Sequence, residues 1–363
     1  MVLHGLLHLI GFSREWTLGA QGQLTGKALI DPAGNTSKTT GIFWLLACIL
    51  FLTAAILYLM RRDWYWILAV AGLVVSQILI IIYWQDAKYG TIVNVVIFVV
   101  TIFSAAAMHF NNMARREVKA LIAQAAGSTE HTITEEMIAP LPANVQRWLR
   151  QSNVVGNKTP TLLRVLQKGK LRSAPDGRWM PFQSVQHFSI SPPAFVWVAR
   201  INAAPLIEIA GRDKYFQGRG NMLIKPLYLL TAADGSGKEI DQGTLLRYLA
   251  EVAWFPQAAV SPYLQWEGID ENRARVTMEY QGVSASGTYF FNEEGLVKGF
   301  EARRYGEFGG TYRKETWSVS ITGHKTFNGV PIGHTNEVTW KLKEGDFAWL
   351  RMEVTEIQGV HSH

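Results

Sequence analysis

The charged residues with the most informative spacing are Arg247 and Glu251, in the stretch Arg247–Pro256, RYLAEVAWFP. Four apart on a helix, they share a face and can pair. With Trp254 they form a stripe beside an apolar one made by Leu245, Leu249, Val252 and Ala253. Two readings follow. If the helix lies against the concave side of a curved sheet, Arg247 can meet the anionic headgroup of a ligand, with Glu251 and Trp254 beside it. Alternatively the pair is structural and locks the helix to its support. Such a pair stabilises an exposed helix by only about 0.2–0.5 kcal/mol, whereas breaking a buried one strands a charge. A further role, Glu251 as acid or base on a membrane-associated substrate, needs an open cleft and a raised pKa, and a neighbouring Arg247 pulls that pKa the other way.

Other chemical lookalikes are incomplete. Gly235-Ser236-Gly237-Lys238 resembles part of a phosphate loop, but Ala232 stands at the earlier glycine and Glu239 where a magnesium-binding hydroxyl belongs. Gly282–Gly287 resembles a nucleophile elbow, yet Ser286 replaces its second glycine and the surrounding pattern is strand to strand. Gly218-Arg219-Gly220 lacks a third glycine. His187, His324 and His334 have no metal-ligand spacing, and His361 and His363 lie in the tail. His4 and His8 share a helical face; they are read either as a metal or haem ligand pair or as two interfacial polar residues. No cofactor is expected from these patterns.

The elements that position these residues fall into two kinds. Gly41–Met60, Trp64–Trp84 and Gly90–His109 are nearly uncharged runs of about 20 residues, the length that crosses a hydrocarbon core. Trp44, Tyr58, Trp64, Trp66, Tyr83 and Trp84 sit at their edges, where aromatic rings suit the headgroup level. Gln77 and Asn94 are polar but uncharged, so the bundle reads as an anchor or scaffold rather than a transport pathway. Met1–Phe12 is apolar but too short to span; it is either an interfacial helix or the end of a further span whose start lies upstream. Ser13–Thr40 is a polar loop with a turn at Asp31–Asn35. Arg61, Arg62, Arg115, Arg116 and Lys119 outnumber the basic residues on the other side, which places the soluble part in the cytoplasm of a bacterial inner membrane by a small margin.

After the third run the period changes. Asn111–Gly127 reads as a helical connector with Val118, Leu121, Ile122 and Ala125 on one face, Ser128–Thr134 as a hinge, and Ala143–Gln151 as a short helix. From Thr161 onward, strict alternation marks antiparallel strands: Ala274, Val276, Met278 and Tyr280; Trp317, Val319 and Ile321; Val338, Trp340 and Leu342. Turns at Pro175–Gly177, Asn292–Gly295, Asn328-Gly329 and Glu344–Asp346 separate roughly a dozen strands. One helix, Gln242–Trp254 with Asp241 as N-cap, interrupts them, and Pro256 ends it. The divisions are 1–40, an apolar start and loop; 41–110, three transmembrane helices; 111–136, connector and hinge; and 137–363, a soluble α+β domain dominated by a curved antiparallel sheet or half-barrel. Trp197, Trp266, Trp317, Trp340 and Trp349 lie on or near strands, where they either line a lipid-sized cavity or fill an ordinary core. The net charge of +6 is spread along 363 residues, which argues against nucleic acid as a partner. The single cysteine, Cys48, falls inside the first run, so no disulfide framework exists.

Four stretches resemble a bacterial family of multi-span membrane proteins of unknown function: the HGLxHLxGF start at His4–Phe12, WQDAKYGT at Trp84–Thr91, LPANVQRWLRQSNVVG at Leu141–Gly156, and RYLAEVAWFP. The resemblance implies no activity and no catalytic residue, and in that family the HGL stretch ends a first full span, implying a shortened start here. The many strands with an inserted helix are also similar to the lipoprotein-carrier (LolA-like) fold, which implies an apolar cavity and a lipid or acyl ligand; carriers of that fold work outside the inner membrane, at odds with a cytoplasmic domain. The expected function is an integral membrane protein whose β domain binds a hydrophobic ligand, with membrane lipids as partners. An envelope scaffold, or an enzyme acting on a membrane-associated substrate, is the alternative.

Overall fold

A computed structural model of the chain describes residues 1–18, 29, 37–126 and 131–360. The turn expected at Asp31–Asn35, the first three residues of the hinge at 128–130, and His361 and His363 lie outside the described residues. The chain divides into two compact units, 1–112 and 113–363.

The first unit is helical: α1 (Val2–Glu15), α2 (Ser37–Leu59), α3 (Tyr65–Ile82), the single turn α4 (Trp84–Ala87) and the first part of α5 (Gly90–Ala125). Among the described residues, three helices are long and apolar enough to cross a membrane: Lys38–Leu59, Tyr65–Ile82 and Gly90–Ala125. Large apolar side chains such as Ile49, Ile56, Val74, Ile78, Val96 and Phe98 face outward, an arrangement that water penalises and lipid satisfies. Inside the bundle the polar residues find one another, as a low-dielectric setting demands. His4 Nε2 donates to Asn94 Oδ1 at 2.8 Å. His8 Nδ1 donates to the His4 carbonyl at 2.7 Å, and Ser76 Oγ lies 2.8 Å from His8 Nε2. Asn94 Nδ2 donates to Gln77 Oε1, and Gln77 Nε2 to Thr91 Oγ1, both at 3.1 Å. His4 and His8 are thus buried crosslinks between helices rather than interfacial residues. Among the described residues no cluster of His, Cys, Asp or Glu could hold a metal ion.

The second unit begins with the end of α5. There follow β1 (His131–Thr132), α6 (Glu135–Ile138), α7 (Ala143–Gln151) and β2 (Lys158–Thr159), with β1 and β2 paired. The sheet consists of β3 (Leu162–Leu171), β4 (Met180–Ser189), β5 (Ala194–Ala204), β6 (Ile207–Phe216), β7 (Arg219–Pro226), β8 (Ala233–Gly235), β9 (Leu264–Asp270), β10 (Arg273–Tyr280), β11 (Val283–Phe291), β12 (Val297–Phe308), β13 (Thr311–Phe327), β14 (Val330–Leu342) and β15 (Gly345–Gly359), with α8 (Lys238–Glu251) between β8 and β9. The order is β8-β7-β6-β5-β4-β3-β15-β14-β13-β12-β11-β10-β9, antiparallel throughout. The two ends do not pair, so the sheet is open. It curls as a half-barrel because α8 packs against β6 and β7 on one wing and against β11 and β12 on the other. Hairpin turns at Gln217-Gly218, Gln281-Gly282 and Asn328-Gly329 have positive φ at both central residues, the twist that tight hairpins require.

Alternation is realised as expected on β10, where Ala274, Val276, Met278 and Tyr280 are buried. The core lies between the sheet and the helical pieces: Trp148 and Leu149 of α7, Leu245 and Leu249 of α8, and Trp254 and Phe255 after it join Tyr289, Phe291 and Phe300. The outer face is partly covered too. Leu121 and Ala125 of α5 pack with Leu162, Ala194 and Val196, and Glu117 pairs with Arg212 at 3.0 Å and Lys214 at 2.7 Å. The inserted helix differs from expectation at both ends. It begins at Lys238, after Gly237 as N-cap, and gives way to 3-10 turns at Val252–Trp254 and Pro256–Val260. Asp241 is not the cap because strand β7 takes its carboxylate: it accepts from the Gly220 N–H at 2.7 Å and from Arg219 at 3.0 Å.

Candidate functional site

The concave face carries a polar layer sandwiched between two apolar regions. Alternation on each strand builds it. On β4, Ser184 and Gln186 point inward with Phe182 and Phe188; on β6, Asp213 points inward with Tyr215; on β12, Arg304 continues the inward series Phe300 and Ala302. From α8, Arg247 and Glu251 come down onto this layer one turn apart. Arg247 Nε donates to Glu251 Oε1 at 2.8 Å, Nη1 to Asp213 Oδ2 at 2.6 Å and Nη2 to Gln186 Oε1 at 3.2 Å. Gln186 Nε2 donates to Glu251 Oε2 at 2.7 Å. Behind them Gln167 Oε1 accepts from Ser184 Oγ at 2.8 Å and from Trp197 Nε1 at 2.9 Å. The Arg247 guanidinium also lies over the rings of Phe195 and Trp197, 5.0 and 4.9 Å from their centroids.

Arg247 and Glu251 are therefore partners in a buried cluster with a second carboxylate, Asp213. Burial weakens the Arg247 charge, but Glu251 and Asp213 more than restore it. The Glu251 carboxyl lies above its usual range, because burial pushes it up further than Arg247 and Gln186 pull it back. Both Glu251 oxygens are engaged and the residue is 8% exposed, a geometry that favours the ion-pair reading over acid–base work. Arg304 differs. Its Nε donates to the Gly243 carbonyl at 3.2 Å, and its guanidinium lies 4.9 Å from the ring centroid of Trp317 and 5.9 Å from that of Trp340. Among the described residues it makes no ion pair. Burial draws its pKa down to about 10, still far above neutrality, so it remains a cation. Asp213 Oδ1 is likewise buried with no hydrogen-bond partner among the described residues. The layer thus presents a guanidinium with one hydrogen bond and no ion pair and a carboxylate oxygen without a partner, beside Trp317 Nε1 and the Tyr215 hydroxyl, which are also buried without one among the described residues.

Past the layer, on the side away from the α8 core, lies a smaller apolar lobe. Phe182, Ala199 and Ile201 form its floor, with Leu171, Met180, Ile209, Leu350 and Met352 half-buried around them. None of these residues is helical: the lobe is bare sheet. Trp197 borders both the lobe and the Arg247 cluster.

The residues singled out in the sequence separate accordingly. Arg247 and Glu251 meet in the polar layer, and Trp317 and Trp340 flank Arg304. Trp254 stands apart in the core wall, with Nε1 donating to the Gly333 carbonyl at 3.1 Å and its ring edge-on to Phe188. Trp266 packs on Trp148 and Tyr289. Asp213, Gln186 and Arg304 were not anticipated. Their signal is period-2 counting: each is a polar residue on the inward register of a strand, with buried neighbours at i±2 for Gln186 and Asp213 and a buried Ala302 two residues before Arg304.

Fold and site together describe a helical bundle suited to a membrane joined to an open half-barrel with a charged inner layer. The chain belongs to a family of unknown function (DUF6544), which matches residues 131–352. No curated protein matches the chain. Two solved structures are similar over about three fifths of the chain. A DUF1329 family protein from Desulfovibrio piger shares 10% identity with a TM-score of 0.39, covering 62% of this chain and 95% of that one. A LolA superfamily protein from Nitrosomonas europaea shares 9% identity with a TM-score of 0.32, covering 61% and 94%.

Proposed function

We propose that the half-barrel holds a single-chain amphiphile with an anionic headgroup, its tail on the bare apolar lobe and its headgroup at Arg304. The observation that carries this reading is a partly buried guanidinium with no ion pair among the described residues, within the electrostatic reach of Asp213, Arg247 and Glu251, in a polar layer whose Trp197 borders an apolar inner surface that no helix covers. Apolar surface with a few placed polar groups is the usual chemistry of a small-molecule site. Arg304 replaces Arg247 as the headgroup residue, since Arg247 is saturated by two carboxylates. The chain then acts as an inner-membrane protein that keeps a lipid or fatty acid beside the bilayer, with the half-barrel on the cytoplasmic side according to the Lys and Arg distribution.

The test is quenching of tryptophan fluorescence by a brominated fatty acid, titrated into the full-length protein in detergent. Arg304→Gln is expected to weaken binding about ten-fold or more, because a hydrogen bond to a charged group is worth about 1.5–3 kcal/mol. Equal affinity of that variant and the wild type would remove the headgroup assignment. A scaffold that pairs through a sheet edge finds less support. Edge strand β8 has three residues, and edge strand β9 carries exposed Glu267 and Asp270, the kind of charge that blunts edge pairing.

A further inference from the structure

The helical unit holds a cavity of its own, of about 340 Å³. Its walls come from both stretches that stood out near the membrane in the sequence: His4, His8 and Gly11 from His4–Phe12, and Asp86, Ala87 and Gly90 from Trp84–Thr91. Leu7, Ile10, Trp44, Ile80 and Val93 supply apolar surface, and Arg14 lies at the far end, 3.3 Å from Asp86. The volume is at the small end of the roughly 300–1,000 Å³ in which proteins hold small molecules. His4 and Arg14 are ten residues apart on α1, about 15 Å by helical rise, so the space is a narrow slot.

The hydrogen-bond network fixes what the slot can recognise. Asn94 gives its Nδ2 to Ser76 and Gln77, so its Oδ1 faces His4 as an acceptor. His4 Nε2 must then carry the proton, and a neutral imidazole has only one. Nδ1 of His4 is left as a bare acceptor, with no partner among the described residues although the side chain is buried (6% exposed). His8 offers no such site, because its two nitrogens are used by the His4 carbonyl and Ser76. His4 lines the slot, and a ligand hydroxyl lying there supplies the donor that its Nδ1 lacks.

We propose that this slot binds a lipid-soluble hydroxyl compound, an alcohol or a phenol with one slender apolar body, whose O–H donates to His4 Nδ1. The hydroxyl satisfies the imidazole, and the chain or ring lies along Leu7, Ile10, Trp44 and Ile80. This inference stands on the helical unit alone and is independent of the half-barrel reading.

Scintillation-proximity binding to the full-length protein in detergent tests it, with tritiated farnesol as the aliphatic probe and tritiated nonylphenol as the aromatic one. The methyl ether of each serves as competitor. Saturable binding of at least one probe is expected, and its methyl ether should compete about ten-fold more weakly because it has no proton to give. Whichever probe binds identifies the source, aliphatic alcohol or phenol. His4→Phe should abolish the preference for hydroxyl over ether. Ala87→Phe, which fills the slot outside the hydrogen-bond network, should abolish binding while the protein stays monodisperse. Equal competition by alcohol and ether would make the slot a groove for any alkyl chain and overturn the proposal, as would the absence of saturable binding by both probes.

Discussion

At the scale of single residues, two charges in the polar layer have opposite roles. Arg247 sits between Glu251 and Asp213 at hydrogen-bond distance from both, so its loss leaves two buried carboxylates without a cation. Arg247→Ala is expected to destabilise the protein by about 3–5 kcal/mol, read as a fall in the thermal midpoint. Adding Glu251→Gln and Asp213→Asn should restore part of it, since the charges then disappear together; a triple variant less stable than Arg247→Ala would contradict a structural ion-pair cluster. Arg304→Gln, by contrast, removes a cation with no ion pair among the described residues, which the neighbouring Arg247 also repels, and should leave the midpoint nearly unchanged. His187 adds a pH dependence. Burial, with Arg164 adding repulsion, holds its imidazole down at about 4 rather than 6.5. Below 6.5 the unfolded chain takes up a proton that the folded one refuses. Stability is therefore full above 6.5 and falls as pH drops toward 4, by at most about 3 kcal/mol. His187→Gln should flatten that slope in urea unfolding at pH 7.5 and 5.0, and an unchanged slope would mean that other groups set it.

At the scale of elements, α5 and α8 grip opposite faces of one sheet. Leu121 of α5 is fully buried against the outer face, and Leu121→Ala should cost about 2–5 kcal/mol. Hydrogen exchange should locate the loosening at residues 113–125 and at β5; exchange spread evenly over the sheet would show that the α5 tail does not dock as a unit. The elements are also where the sequence was most readable. Twenty-residue apolar runs, the strict alternation of β10 and the apolar face of Ala143–Gln151 reflect local periodicity, and each appears where periodicity placed it. The start of α8 was not readable in the same way. Asp241 has the chemistry of an N-cap, but the Gly220 N–H and Arg219 of a strand distant in sequence claim its carboxylate. The polar layer failed to show for a related reason. Arg247 and Glu251 are neighbours on one helix, whereas Asp213, Gln186 and Arg304 reach them only through sheet curvature, which periodicity does not encode.

At the scale of the whole molecule, a membrane-suited bundle and a half-barrel each hold polar groups that their own side chains leave incomplete: His4 Nδ1, on the wall of the slot, in one, and the buried Asp213 Oδ1 with the Arg304 guanidinium, which has no ion pair among the described residues, in the other. Burial of such groups is unfavourable unless something completes them, and a membrane supplies amphiphiles at high local concentration. The proposed cytoplasmic placement is testable. With Cys48 changed to Ser, a cysteine introduced at Ser236 should react with an impermeant maleimide only after the cells are opened. Labelling of intact cells would put the half-barrel outside. The most direct measurement of the central claim is mass spectrometry of the organic extract from the purified full-length protein, beside extracts of Arg304→Gln and Met352→Lys. A single-chain anionic lipid near one per protein, reduced about ten-fold in both variants, is the expected result. The same lipids at the same ratio in all three would show that they come with the membrane helices, and the half-barrel would not be a lipid site.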